Sequence, residues 1–371
     1  MNSHKDHTRY QRQIILKEFG ETGQEKLSAA NVLVIGAGGL GCPALQYLAA
    51  AGVGHIGIVD FDVVELTNLQ RQILFTTNDI GRSKAEIAAK RLSELNPEIK
   101  VQVFNLKISN TNALDIIKDF DIVIDGSDNF ETRYMINDAC VLLDKPLIYG
   151  AVLRFEGQVA VFNLLDSETQ VKTNYRDLFP NASTQFSVSC NDVGVLGVIP
   201  GIIGTMQATE AIKIITGIGK PLSNKLLTYN ALNNAFYDLE IVNSKENKNY
   251  PKTKEEFLNY KYDVMCETSS TQISSEEFEQ LRNDNNVIIL DVREKDELPI
   301  VNEFKHMQLP LSRLKNELNT IPTKNKIIVF CNSGQRSSQA VIILKEHFPL
   351  VEIQNLSGGI VKWKETNKIA I

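Results

Sequence analysis

The first 150 residues alternate short apolar runs with amphipathic stretches. Strand-like runs fall at 31–35, 55–60, 100–105, 121–125 and 146–150, and helix-like stretches at 39–51, 83–95, 111–118 and 131–143. Such alternation argues for βαβ units around a mainly parallel sheet. Asn96-Pro97 ends the second helix, since the residue before a proline is pushed out of the helical region. After Gly150 the pattern changes. Residues 152–155, 158–162 and 225–229 read as antiparallel strands, separated by a polar stretch, 166–192, and an apolar helix from about Val195 to Thr216. A polar connection that long is unusual in a compact domain, and such loops are commonly functional or mobile.

Residues 243–270 are charged and polar and read as a linker. A second alternation follows, with strand-like 287–290 and 326–330 and helix-like 275–281 and 337–347. The expected fold is α/β. A Rossmann-like doubly wound domain covers 1–242, a linker 243–267, and a small α/β domain 268–371, about 100 residues being enough for an independent unit.

Composition narrows the class. The 371 residues leave room for two or three domains, and 43% apolar with 23% charged residues is ordinary for a soluble globular chain. A net charge of -6 gives no reason to expect nucleic acid. No apolar stretch approaches the roughly 20 residues of a membrane span, and Met1–Arg12 carries no signal-peptide core. Five scattered cysteines (Cys42, Cys140, Cys190, Cys266 and Cys331) read as reduced thiols, so a cytoplasmic protein is expected.

The chemistry begins at Gly36-Ala37-Gly38-Gly39-Leu40-Gly41, between a buried strand and a helix start. Gly36, Gly38, Gly39 and Gly41 let the backbone approach an anion, which the free N–H groups of the helix start then face. Asp60 ends the next apolar run, where a ribose hydroxyl is held in dinucleotide sites. Alone, this pattern suggests a nicotinamide oxidoreductase. Asp62, Asn68-Leu69-Gln70-Arg71-Gln72, Ser83-Lys84 and Asp125-Gly126-Ser127-Asp128-Asn129 change that reading. The C-terminal strand edge is where open α/β sheets bind ligands, and Asp60, Lys84 and Asp128 fall on or near that edge. Each cation singly is as readily a solvated surface charge. As a set, Arg71, Lys84 and the carboxylates suit a nucleoside triphosphate with Mg²⁺.

With Arg9-Tyr10-Gln11-Arg12-Gln13 before them and Cys190-Asn191-Asp192-Val193-Gly194 after, these segments give the first 240 residues a specific likeness. They resemble the E1-like adenylyltransferases that activate ubiquitin-like sulfur carriers, the molybdopterin-synthase and thiazole-pathway activators. The resemblance implies an ATP site lined by the four glycines, Asp62, Asn68 and Asn129. Asp128 would bind Mg²⁺, Arg71 and Lys84 would hold the triphosphate, and Asp60 the ribose. Arg12 would reach into the neighbour's site of a homodimer. The implied partner is a carrier ending in Gly-Gly. A carboxylate is a poor acyl donor, and coupling it to AMP supplies a leaving group, with cations and a metal stabilising the phosphate charge.

Many members of that group hold a zinc ion with two Cys-x-x-C pairs. Here Asn174-Tyr175-Arg176-Asp177 stands at the first pair and only Cys266 remains near the second, so no structural zinc is expected. Cys190, in the polar stretch, is a candidate acyl acceptor; the plainer reading is a small residue that packs the loop.

In the last domain Cys331-Asn332-Ser333-Gly334-Gln335-Arg336-Ser337 follows a buried strand and opens a helix, an arrangement that stabilises a thiolate. A phosphatase loop is built similarly. Asp291-Val292-Arg293-Glu294, Lys305-His306-Met307-Gln308-Leu309-Pro310 and Leu356-Ser357-Gly358-Gly359 tilt the likeness toward rhodanese-like sulfurtransferases. That resemblance makes Cys331 the persulfide carrier, cradled by Gly334, Arg336 and Ser337, and implies a persulfide or other sulfur donor. One domain would activate a carrier glycine and the other would supply sulfur at high effective concentration, giving a thiocarboxylate. Two other readings stay open: an NAD-binding oxidoreductase with an accessory rhodanese docking module, and a binding protein without turnover.

Overall fold

A computed structural model describes residues 7–180, 194–243, 250–262, 272–295, 297–322, 326–349 and 351–367. The chain forms two compact units that meet in sequence at Tyr262 and Asp263.

In the first unit the apolar runs become β1 (Asn31–Ile35), β2 (His55–Val59), β3 (Lys100–Phe104), β4 (Ile122–Asp125) and β5 (Leu147–Leu153). They lie parallel in the spatial order β3-β2-β1-β4-β5. The sheet continues antiparallel through β6 (Glu156–Phe162), β7 (Lys225–Asn230) and β8 (Ala235–Glu240). The helices are α1 (Gln11–Ile14), α2 (Gly20–Ala29), α3 (Gly41–Ala51), α4 (Lys84–Leu95), α5 (Ala113–Ile117), α6 (Phe130–Leu142), α7 (Tyr175–Leu178), α8 (Val198–Thr216) and α9 (Lys254–Asn259). Val32, Val34, Leu45, Leu48, Ile56 and Ile58 centre the core beneath β1 and β2.

Two differences from the sequence pattern have physical causes. Gly150 reads as a break, yet β5 runs through it to Leu153 and turns at Arg154, whose φ is +53°. A Cβ at Gly150 would lie 2.6 Å from the amide carbon of Gln207, so the glycine admits a helix side chain and does not bend the strand. The pattern also misses β8, whose residues are nearly all exposed and show no apolar alternation. Helix α8 is, among the described residues, long and apolar enough to cross a membrane by length and composition. This departs from the sequence expectation that no apolar stretch approaches a membrane span. The helix instead packs against α2, α3, β5 and β6 and carries a buried Glu210 paired with Lys213 at 2.6 Å.

The second unit is a parallel sheet of order β11-β10-β12-β13-β9. It comprises β9 (Gln272–Ile273), α10 (Ser275–Leu281), β10 (Val287–Asp291), β11 (Met307–Gln308), α11 (Leu311–Glu317), β12 (Lys326–Phe330), α12 (Gln335–His347), β13 (Glu352–Leu356) and α13 (Gly359–Thr366). Alternate residues of β10 and β12 feed two cores. Ile288, Leu290, Ile327 and Val329 meet Leu314, Ala340 and Leu344 on one face. Ile289, Ile328 and Phe330 meet Phe278, Ile360 and Trp363 on the other. Burial on both faces explains why these strands read as unbroken apolar runs.

Candidate functional site

In the first unit β1 pairs with β2 on one side and β4 on the other, aligning Ile35 with Val59 and with Asp125. The chain leaves β1 at this switch of strand order, the place where open α/β sheets form a ligand crevice. Gly36 has φ +94°, and its N–H donates to the Val59 carbonyl at 2.8 Å. A Cβ on Gly36 would lie 2.7 Å from the Gly126 carbonyl oxygen, and one on Gly41 would overlap the Gly36 oxygen. Gly39 packs on Pro200 and on the Arg71 stem. Gly38 differs: the nearest atom to a Cβ there is Gln72 Nε2, 3.7 Å away.

Asp60 is tied to the same turn. Its Oδ2 accepts from Ala37 N–H at 2.7 Å and its Oδ1 from Asp62 N–H at 2.8 Å. Burial pushes its pKa up, against the pull of those backbone bonds. Lys84, the first residue of α4, is buried, and its Nζ meets Asp62 Oδ2 at 3.1 Å. Asn68 is buried in the turn Leu66–Asn68, where its Oδ1 accepts from Glu65 N–H at 3.3 Å. Arg71 donates through Nη1 to the Thr67 carbonyl at 3.1 Å.

Past β4, Asp125 is fully buried and accepts from Ser127 through its N–H at 2.9 Å and its hydroxyl at 2.6 Å. Burial raises the Asp125 pKa. Asp128 is exposed on the loop so fixed, and Asn129 caps α6 by accepting from Thr132 N–H at 2.9 Å. The structure therefore gathers Gly36–Gly41, Asp60, Asp62, Lys84, Arg71 and the loop of Asp128 around one edge. Arg12 lies exposed on α1. Cys190 and Cys266 lie outside the described residues.

Sequence reasoning gave no role to Gln207, a polar residue in the apolar α8. Its Nε2 donates to the Asp125 and Ile148 carbonyls at 2.7 and 3.1 Å, holding the ends of β4 and β5. A lone amide in an apolar helix was the available signal. Beside Arg71, the residues Ile73, Leu196, Val198, Ile202 and Met206 line an apolar cavity of about 730 Å³.

Where the sequence resemblance implies a first cysteine pair, Asn174 and Asp177 bond to each other. Asn174 N–H and Nδ2 donate to Asp177 Oδ2 at 2.8 and 3.0 Å. Among the described residues there is no group of three or more His, Cys, Asp or Glu placed to hold a metal ion.

In the second unit Cys331 follows β12 and is fully buried. Its Sγ accepts from Gly334 N–H at 3.2 Å and from the Ser337 hydroxyl at 3.4 Å. Gly334, at φ +93°, turns the loop into α12. Arg336 faces Glu297, with Nη2 to Oε2 at 2.6 Å, and Asn332 bridges Arg293 at 3.0 Å and Glu297 at 3.2 Å. Arg293 in turn pairs with buried Asp291 at 2.7 Å. The expected cation of the loop is thus neutralised by a glutamate that sequence reasoning did not single out.

Residues 10–252 match the ThiF family and residues 274–366 the rhodanese-like domain. A "Probable molybdopterin-synthase adenylyltransferase" of Porphyra purpurea is 42% identical over 367 residues, covering 97% of this chain and 93% of the relative. A "Probable adenylyltransferase/sulfurtransferase MoeZ" of Mycobacterium tuberculosis is 40% identical over 371 residues, with coverage of 97% and 93%. The crystal structure of E. coli MccB with ATP superimposes with a TM-score of 0.55 at 22% identity, covering 67% of this chain and 75% of that one. At that identity the likeness establishes the fold.

Proposed function

This chain belongs to the ThiF family and carries a rhodanese-like domain behind it, and on that premise we propose that it converts the C-terminal glycine of a ubiquitin-like sulfur carrier into a thiocarboxylate. It would first adenylate that glycine and then transfer sulfur to it from Cys331. The observation that carries this reading is the glycine turn at the β1–β4 switch with Asp60, the Lys84–Asp62 pair and Arg71 against it.

In the first step a carboxylate oxygen of the carrier attacks the α-phosphorus of ATP, the bond to the β-phosphate breaks, and pyrophosphate leaves. Gly36, Gly39 and Gly41 let the turn close tightly on Gly126, Pro200 and itself, Gly38 leaves the backbone open to the phosphates, and Asp60 retains one lone pair on each oxygen for a ribose hydroxyl. Arg71 and Lys84 balance phosphate charge. Mg²⁺ would neutralise the triphosphate, and the exposed Asp128 is an oxygen donor of the kind it takes. Asn68 and Asn129 fix the turns that present Arg71 and Asp128.

In the second step the outer sulfur of a Cys331 persulfide displaces AMP at the acyl carbon. With Arg336 paired to Glu297, Gly334 N–H and the Ser337 hydroxyl are the donors that reach Sγ. The acyl disulfide is then cleaved by an external thiol, whose sulfur bonds to Cys331 Sγ as the S–S bond breaks and the thiocarboxylate leaves with the electron pair; a second thiol frees Cys331. Cys190 is proposed as an acyl acceptor that takes the carrier from AMP as a thioester ahead of the persulfide. A homodimer with Arg12 crossing into the neighbour's site, a persulfide donor and a cytoplasmic setting complete the reading. The carrier belongs to molybdopterin, thiamine or thio-tRNA synthesis.

Pyrophosphate exchange with ATP, Mg²⁺ and a carrier ending in Gly-Gly tests this. Asp128→Ala is expected to abolish exchange, while Cys331→Ala spares exchange and stops thiocarboxylate formation, read by mass spectrometry of the carrier. Thiocarboxylate formation by Cys331→Ala from a persulfide donor would sink the coupled scheme.

A further inference from the structure

Glu297 lies on the segment after β10, and neither step above uses its charge. Three groups fix its carboxylate. Arg336 donates to both oxygens, Glu294 N–H donates to Oε1 at 2.8 Å, and Asn332 Nδ2 to Oε2 at 3.2 Å. The segment is anchored as well. Arg293 Nη1 donates to the Pro299 carbonyl at 2.8 Å and Lys364 Nζ to that of Ile300 at 3.0 Å. The side chains of Arg336 and Glu297 are 36% and 26% exposed, whereas Cys331 is buried. Arg336 belongs to the loop that holds the sulfur, so a donor arriving from solvent meets this pair.

Donors of transferable sulfur differ in charge. A persulfide in its R–S–SH form presents its outer sulfur uncharged. Thiosulfate presents it on a dianion and departs as sulfite. An arginine fork is the usual receptor for such an oxyanion, through two parallel bonds. Here the Arg336 fork is filled by Glu297, and that of Arg293 by Asp291, Asn332 and the Pro299 carbonyl. The bonds from Glu297 keep the Arg336 pKa above its ordinary value, so the cation is present but engaged. An oxyanion must displace that carboxylate or lie beside it, and like charges in contact are costly.

We propose that Glu297 is a specificity-determining residue that, by occupying Arg336, turns oxyanion donors such as thiosulfate away and reserves Cys331 for uncharged persulfide sulfur. This rests on the sulfur-transfer reading of Cys331. In loading, the Cys331 thiolate attacks the outer sulfur of R–S–SH and the donor S–S bond breaks. The inner sulfur leaves as a thiolate with the electron pair, and the proton stays on the transferred sulfur. Glu297 exchanges no bond; it sets which donor finds a free cation.

The test is sulfur loading of the full chain from thiosulfate and from cysteine persulfide, read by mass spectrometry of the Cys331 peptide. Glu297→Gln keeps the size and removes the charge, and is expected to raise kcat/KM for thiosulfate relative to persulfide about tenfold or more. Glu297→Asp keeps the charge and is expected to keep the parent's ratio. Glu297→Gln combined with Arg336→Gln is expected to lose the gain, because the freed guanidinium is what takes the oxyanion. Trp363 emission shows that the second unit of each variant is folded. In the unaltered chain, kcat/KM for thiosulfate is expected to rise with salt, since screening helps a repelled donor. An unmoved ratio in folded Glu297→Gln, a gain that persists without Arg336, or a fall with salt in the unaltered chain overturns the inference and leaves sulfur transfer standing. No persulfide on Cys331 from either donor removes the sulfur-transfer reading, and the inference with it.

Discussion

At Cys331 the sulfur and its nearest cation serve different partners. Arg336 is engaged by both carboxylate oxygens of Glu297, and that hydrogen bonding holds the Glu297 pKa down to about 2. A carboxylate depressed in the folded state stabilises fully above its ordinary value near 4.5 and loses that contribution as pH falls toward 2. Glu297→Gln is therefore expected to lower the melting temperature of the second unit by on the order of a few degrees at pH 6 to 7. The gap to the parent should close as pH drops through 4.5 toward 2; a gap that is constant with pH would refute the assignment. Cys331, Gly334 and Arg336 were legible because their spacing places them in one loop. Glu297 was not, because it comes 39 residues earlier and only the β10–β12 pairing brings its segment to the loop. Gln72 was visible in its motif, but only the fold shows that it faces Gly38.

Among elements, one carboxylate joins three. Asp138 on α6 takes Arg176 of α7 through Nε at 2.8 Å and Nη2 at 2.7 Å, and the hydroxyl of Tyr262, just beyond α9, at 2.8 Å. Arg176 lies over the Tyr134 ring at 4.8 Å. Burial works against its charge, yet the Asp138 bonds outweigh burial and keep its pKa above the usual arginine range. Removing Asp138 leaves that guanidinium buried without a counter-charge. Asp138→Ala is expected to cost about 3–5 kcal/mol in urea unfolding, and Tyr262→Phe about 1.5–3 kcal/mol. Equal losses for the two would mean the ion pair itself contributes little. The cross-link was invisible in sequence because α6, α7 and the segment after α9 are distant along the chain and none has a distinctive period. Strands β1, β2, β4 and β5 were legible, since parallel strands buried on both faces leave plain apolar runs.

For the whole molecule, the two alternations separated by a polar stretch foretold two α/β bodies, and each has its own core. The short strands β9 and β11, two residues each, were beyond any pattern because their pairing depends on neighbours in space. The single tryptophan, Trp363, turns this organisation into a measurement. It is fully buried, stacks edge-on to Phe304 at 5.3 Å and Phe278 at 5.8 Å, and donates to Glu279 at 3.1 Å, all within the second unit. Its fluorescence therefore reports the unfolding of that unit, whereas calorimetry records both. A ligand that binds only the folded first unit raises that unit's transition in proportion to the logarithm of its concentration. Saturating ATP with Mg²⁺ is expected to move one calorimetric transition upward and to leave the Trp363 transition where it was. Glu297→Gln should do the converse, moving the fluorescence transition alone. A Trp363 transition that follows ATP would show that the units unfold as one, since neither the glycine turn nor Lys84 shares a core with that indole.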